Sequence, residues 1–356
     1  MSKTVFLETH NLKNKSTGFG TFNYELIKGF SQIELDNLAL CLNYSRPKEL
    51  AAEFGSKFMY NRYTDLSRLP LLRTRKHYDL WHSMNQNSKI EPYRSNKYVL
   101  TVHDVNFVEE VSTNMDDKVN KLFLKKLERA TAITYISEYA KKQTHNYFNI
   151  PNIPEYVILN GNPISTILDV TSFISPFPTE RPFLYSISNF LERKNFLSVV
   201  KMMLYLKQYN LILSGNNNTR YGKEIEKFII DNKLEHRVFL TGKINEVAKQ
   251  YYLSKCHAFV FPSLREGFGL PPIEAMQFGK PLFLANRTSL PEIGGDQSYY
   301  WDNFDPEDMK NVFENGINHF FNNKENIEKS LKARAASFDW KIAANEYLKV
   351  YKEQLK

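Results

Sequence analysis

The chain has 356 residues, 42% hydrophobic and 24% charged, a composition that excludes disordered and collagen-like proteins and favours two globular domains over one core. Its 47 Lys and Arg against 39 Asp and Glu leave a net charge of +8, which suits phosphate-bearing partners without choosing among nucleotides, nucleic acid and anionic lipid. No stretch reaches the roughly 18 apolar residues of a membrane span, and the opening MSKTVFLETHN turns polar too soon for a signal peptide, so a cytoplasmic location is expected. Cys41 and Cys256 each sit beside apolar residues and far apart, as reduced core residues do; they offer neither a disulfide framework nor a zinc site.

In chain order, the first half repeats a β-branched or aromatic run, a polar turn and a segment of helical spacing. Strands are expected at 4–7, 38–42, 78–81, 98–102, 132–136 and 156–159. Between two of them, 115–130 places Val119, Leu122, Phe123, Leu127 and Ala130 on one face, with Asn114 as the expected N-cap. Pro163, Pro176, Pro178 and Pro182 then interrupt the pattern, and 166–182 reads as an interdomain linker after a first domain at 1–165. Strands resume at 183–187, 211–214, 238–242, 258–261 and 281–285, with helices between them, giving a second domain at 183–339. Strands alternating with helices imply α/β architecture, two doubly wound Rossmann-like domains facing each other across a cleft, with ligands outside the carboxyl ends of the strands.

The run SLREGFGLPPIEA, 263–275, holds two acids with seven residues between them across a turn, farther apart than the three or four positions at which neighbours on one helix face meet. Pro262 ends a buried strand, Gly267 and Gly269 permit positive φ or close ligand approach, and Pro271 and Pro272 start a helix whose end is set by Gly279 and Pro281. Glu266 therefore falls on the loop after the strand, Glu274 near the helix start, and the helix N-terminus between them suits an anion such as phosphate. Taken singly, Glu274 serves as a helix-dipole partner and Glu266 as a solvated acid. Together on a glycine-rich strand-to-helix loop they favour one extended ligand with hydroxyls at both ends and negative charge in the middle.

EGFGLPPIE resembles the E-x7-E signature of the retaining glycosyltransferases of family four, which have the GT-B fold. STGFGTFNYELIKGF, YDLWHSMN, LTVHDVNF, ITYISEYAKK, VILNGNP, SNFLERKNF, LILSGN, VFLTG and SFDWKIAANEYLKVYKEQL resemble the family's successive landmarks in order along nearly the whole chain. The resemblance implies that Glu266 contacts the donor sugar and Glu274 the ribose hydroxyls. It also implies that Gly267, Phe268, Gly269 and Leu270 bring backbone amides to sugar and diphosphate, chemistry that bare amides and carboxylates can supply. Arg193 and Lys194 of ERKN would neutralise the leaving diphosphate, although Ser188 stands where many members carry a further arginine. Gly18, Phe19 and Gly20 would form the counterpart loop of the first domain, and a final helix at about 340–356 would pack back on that domain.

His103, past a buried strand beside Asp104, lies by resemblance at the donor sugar; no G-x-S-x-G elbow accompanies it to suggest a triad. Asp104 is placed near the acceptor, and His82 in DLWH is read as support for the sheet edge. No D-x-D acidic motif sits at a strand end, since 302–305, DNFD, has the wrong spacing, so neither metal nor resident cofactor is expected. The stretch 62–76 mixes Arg62, Arg68, Arg73, Arg75 and Lys76 with Leu66, Leu69, Leu71 and Leu72; it suits anionic headgroups and equally a solvated basic helix.

The expected activity is retaining transfer of a sugar from a UDP- or GDP-linked donor to a hydroxyl of a saccharide or lipid-linked acceptor, in bacterial cell-surface polysaccharide or glycolipid synthesis, inside the cell and peripheral to the inner face of the plasma membrane. A glycoside hydrolase would use Glu266 and Glu274 as a carboxylate pair about 5–5.5 Å apart for retention and leaves the cationic turn without a role. A nucleic-acid binder lacks any helix-turn-helix, zinc or RNA-binding signature, so no nucleic-acid partner is expected.

Overall fold

A computed structural model of the chain describes residues 2–15, 17–95 and 97–356; Met1 and Ser16 of the runs quoted above lie outside them. The described residues form two compact units, the first comprising 1–163 with 339–356 and the second 164–338.

In the first unit, β1 (Lys3–Leu7), β2 (Leu38–Tyr44), β3 (Met59–Arg62), β4 (Leu80–Ser83), β5 (Tyr98–Val102), β6 (Ala132–Tyr135) and β7 (Glu155–Val157) form one sheet in the order β3-β2-β1-β4-β5-β6-β7. Every pairing is parallel. The order reverses between β1 and β4, so the loops leaving their carboxyl ends part there and open a place for ligand. Strands covered on both faces must be apolar throughout, and β5 is buried at every residue. Phe6 stacks on Trp81 at 3.8 Å, and each such fully buried side chain contributes about 1.5–3 kcal/mol. The edge strand β3 was not expected, because MYNR is mostly exposed and shows no apolar alternation.

The second unit holds β8 (Phe183–Ile187), β9 (Asn210–Ser214), β10 (Val238–Gly242), β11 (Ala258–Phe261), β12 (Leu282–Ala285) and β13 (Tyr299–Trp301) in the parallel order β10-β9-β8-β11-β12-β13. Here the reversal falls between β8 and β11, with Leu184 opposite Ala258 and Tyr185 opposite Phe259. The turns carrying Arg193 and Glu266 follow these two strands. The second edge strand, β13, also escaped the sequence pattern, being three residues long.

Three local expectations change. The helix expected from Met115 begins at Lys118 after Asp117, because Asn114 spends its side chain on a turn, accepting from Asp116 N at 2.9 Å. The stretch 62–76 is no α-helix: it folds into 3-10 turns at Asp65–Arg68 and Pro70–Leu72, where Pro70 removes a donor and restricts the residue before it. The segment 166–182, expected as a linker, is part of the second unit. Leu168 N donates to Gln250 Oε1 at 2.9 Å, Thr179 and Tyr251 share a hydroxyl bond at 3.0 Å, and Phe177 packs 5.3 Å from Phe239. These contacts outweigh the proline-rich composition that suggested a tether.

The last helix, Trp340–Gln354, belongs to the first unit although it follows the second in sequence. Its Tyr351 hydroxyl lies 2.7 Å from His82 Nδ1 and its Tyr347 hydroxyl 3.3 Å from Thr101 Oγ1. His82, expected at a sheet edge, sits instead on the central strand β4, fully buried with both ring nitrogens bonded, the second to Thr101 Oγ1 at 2.7 Å. Burial drops its pKa to about 3, so it stays neutral and acts as a rivet between sheet and helix.

Candidate active site

At the carboxyl end of the second sheet, β8 runs into a 3-10 turn, Glu192–Lys194, and Asn195 in the left-handed region at φ 55 redirects the chain into the helix Phe196–Met202. The turn is stitched to the loop after β11. Leu264 N donates to Arg193 O at 2.8 Å, and Arg193 Nη1 donates to Arg265 O at 3.0 Å. Lys194 Nζ donates to Glu266 Oε1, and Arg193 Nη1 stands 4.0 Å from Glu266 Oε2. Lys194 and Glu266 are both largely shielded from water, so their attraction is weakly screened and each charge compensates the other. The structure thus brings together three residues singled out in sequence, with the carboxylate of Glu266 facing the cations rather than bulk water.

Glu266 continues into Gly267, Phe268 and Gly269, and Gly269 adopts φ 124, a conformation that side-chain-bearing residues rarely adopt. The helix Leu270–Gln277 starts there with Pro271 and Pro272 in its first turn. Prolines have no N–H, so the donors that helix geometry leaves outside the ladder are those of Gly269 and Leu270, not a full set of four. That narrows the anion-binding end to the glycine run itself. Phe268 turns its ring inward, 4% exposed and edge-on to Phe338 at 5.8 Å, which leaves only its backbone for a ligand. As expected, the helix stops before Gly279, which takes φ 66.

Glu274 does not join the Glu266 cluster. It is buried and accepts from Lys249 Nζ at 2.7 Å, while Lys249 also meets Glu246 at 2.9 Å. Burial pushes the Glu274 carboxyl upward against the pull of Lys249. Burial also depresses the Lys249 ammonium, but Glu274 and Glu246 outweigh it, so the lysine is held charged above the usual amine range. Lys249 was not foreseen: AKQYY carries no motif, and only its helical spacing of three from Glu246 hinted at an ion pair.

The loop 266–268 has a further support that sequence reasoning missed. Glu266 N donates to Thr288 Oγ1 at 3.1 Å, and Ser289 Oγ lies 3.0 Å from Glu266 O and 2.6 Å from Phe268 O. S-L-P-E at 289–292 has the form of a capping box, but Ser289 makes no cap bond, so the local pattern marks a helix start and not this support. Asp302 and Asp305, the nearest approach to an acidic motif, are otherwise engaged: Asp302 accepts from Asn286 Nδ2 at 2.7 Å, and Asp305 caps the helix Pro306–Asn322.

In the first unit, Gly18, Phe19 and Gly20 form the first turn of the helix Gly18–Ser31. Gly20 N donates to the N-cap Thr17 Oγ1 at 3.3 Å, and a Cβ on Gly20 would meet Asn14 O at 1.9 Å, so this glycine is required by packing. Gly18 has open space around the same position. His103 lies just past β5, its Nε2 2.9 Å from Met84 O, and Phe19 and Phe22 present their rings to it edge-on at 4.8 and 4.6 Å. A carbonyl only accepts, so Nε2 carries the proton and Nδ1 is the acceptor. Burial lowers the His103 pKa to about 4, keeping the ring neutral. Asp104 accepts from Asn106 N at 3.1 Å, and Gln86 bridges the pair, accepting from His103 N at 3.1 Å.

Two doubly wound parallel sheets in one chain, the second with a carboxylate and cation cluster where its strand order reverses, are the architecture of the GT-B fold. The structure of Anabaena Alr3699/HepE in complex with UDP and glucose has the same fold, with a TM-score of 0.73 at 18% identity over 99% of this chain and 100% of that one. Residues 169–337 match the family of glycosyl transferases group 1. Serotype-specific mannosyltransferase WbdA of Escherichia coli is 26% identical over 251 residues, 65% of this chain, and the chain spans about a third of that relative, 30% of its length. O-antigen chain mannosyltransferase B of Escherichia coli is 24% identical over 98% of this chain and 99% of its own. No helix among the described residues is long and apolar enough to cross a membrane.

Proposed function

We propose that the protein is a retaining glycosyltransferase that needs no metal or resident cofactor and moves a sugar from a nucleoside-diphosphate donor to an acceptor hydroxyl in bacterial surface polysaccharide synthesis. The observation that carries this is the Arg193, Lys194 and Glu266 cluster beside the glycine-rich start of the helix Leu270–Gln277, inside the stretch that matches the family. A diphosphate leaving group accepts bonds from amide N–H groups and cations, and hydroxyls bond carboxylates. Arg193 and Lys194 stabilise the departing charge, Glu266 orients the donor sugar, and Glu274 with Lys249 receives the ribose. His103 offers a neutral acceptor nitrogen to a hydroxyl.

The relatives' names make mannose the first sugar to test, and the UDP-bound fold neighbour makes UDP the first alternative to GDP. A lipid-linked acceptor would bring the chain to the inner face of the membrane. The 3-10 turns between Arg62 and Lys76 support such contact, because Leu71 is 89% exposed with Leu66, Leu69 and Leu72 also exposed among five basic residues. Melting the protein with UDP, GDP, ADP and dTDP and their sugars tests the reading, since a ligand of the folded state raises its stability. Stabilisation by one nucleotide, abolished by Glu274→Ala, supports it; no shift with any nucleotide sinks it.

A further inference from the structure

Thr288 follows β12 and adopts φ 56, where a β-branched side chain is strongly disfavoured. Strain of this kind persists where surrounding contacts over-determine it. Its hydroxyl oxygen receives the Glu266 N–H at 3.1 Å, a backbone donor that would otherwise lack a partner in this turn. The next residue, Ser289, is the N-cap of the helix Leu290–Gly294, a position where serine ordinarily accepts from the first helical turn. It makes no such cap bond. Instead its single O–H is directed at two carbonyls, Glu266 O at 3.0 Å and Phe268 O at 2.6 Å, and Ser289 is fully buried. Leu290 completes the contact, its Cδ2 3.1 Å from where a Cβ on Gly269 would stand. The turn itself is anchored: Asn286 N donates to Trp301 O at 2.8 Å, and Arg287 Nη2 to Asp302 O at 3.1 Å.

We propose that Thr288 and Ser289 are positioning residues that grip the backbone of Glu266 on both sides, at its N–H and at its carbonyl, and so aim the Glu266 carboxylate and the amides of 267–270. This rests on the proposed role of Glu266. Two departures from local preference, a threonine at positive φ and a serine that gives up its cap, are explained together by this one target. In this role both act through the loop backbone.

The test compares Thr288→Val, which keeps the shape and removes the hydroxyl, with Thr288→Ser, which restores it, and Thr288→Gly, which relieves the strain while removing the hydroxyl. Amide hydrogen exchange over 263–270 should accelerate in Thr288→Val and Ser289→Ala and recover in Thr288→Ser. Release of nucleoside diphosphate from GDP-mannose or UDP-glucose should fall about 10-fold to 100-fold in Thr288→Val, with donor KM little changed, as misplacement of a reacting group does. Thr288→Gly should lose turnover without losing melting temperature, which a merely structural residue would not do. Unchanged exchange in Thr288→Val, or full turnover in Thr288→Gly, overturns the proposal. Wild-type turnover in Glu266→Gln would instead overturn the role of Glu266 while leaving the exchange result intact.

Discussion

The two units share one strand order, the first with a seventh strand added, and differ in the side chains that their strand ends carry. In the first, His103 is walled by the Phe19 and Phe22 rings and kept neutral by burial. In the second, Lys194 meets Glu266 and Lys249 meets Glu274, two separate ion pairs out of bulk water. The fold therefore does not dictate the chemistry of its switch point; the turns grafted onto it do. A neutral, apolar-walled nitrogen suits an uncharged hydroxyl, whereas compensated cations suit a ligand that brings phosphate charge.

Removing the cationic side of this contrast should have the largest effect. Lys194→Ala is expected to reduce nucleoside-diphosphate release by about 10²-fold or more with a smaller change in donor affinity, because the stabilised charge develops only as the leaving group departs. Wild-type turnover would refute the role. Next, Glu274→Ala should weaken nucleotide binding about 10-fold, measured by calorimetry with UDP and GDP, and leave Lys249 with Glu246 alone. Unchanged affinity for both nucleotides would remove Glu274 from the ribose site.

The neutral side is tested by pH. His82 and His103 have pKa values lowered to about 3 and about 4 from 6.5. The unfolded chain takes up protons near pH 6.5 that the folded chain refuses, so stability falls as pH drops below 6.5 by up to roughly 1.4 kcal/mol per pH unit per histidine, levelling near pH 4 for His103. His103→Gln should flatten the fall in melting temperature between pH 6.5 and 4.5; an unchanged slope would mean the ring is not held neutral. The smallest expected effect is outside both sites: Leu71→Glu with Leu72→Glu should weaken co-sedimentation with vesicles containing phosphatidylglycerol several-fold and leave nucleotide binding intact. Equal sedimentation of the variant would show that this loop does not meet the bilayer.

Much of the second site was legible because its signals are local. Glycine and proline around Glu266 announce a strand, a tight turn and a helix start within one short run, and β11 and that helix fall where they were expected. Edge strands β3 and β13 were not legible, since a short half-exposed strand has no periodicity to read. At Gly18 and Gly20 the sequence form is the same for a glycine that approaches phosphate and for one that, like Gly20, meets a neighbouring carbonyl at a helix start.

What the sequence by itself determined is the alternation of strands and helices and the placing of Glu266 and Glu274 on opposite sides of a helix start, for these follow from side-chain period, turn residues and missing N–H groups within a few positions. Only the tertiary structure decided which partner each acid meets: Lys194 lies 72 residues from Glu266, Lys249 lies 25 from Glu274, and Thr288 reaches back 22 to Glu266. It likewise decided that the last helix, whose return to the first unit the family resemblance implied, is fastened there through His82 and Tyr351, 269 residues apart. Such contacts form only when parallel strands bring distant turns to one sheet end, and burial there, which no local pattern encodes, sets whether a group stays charged or neutral.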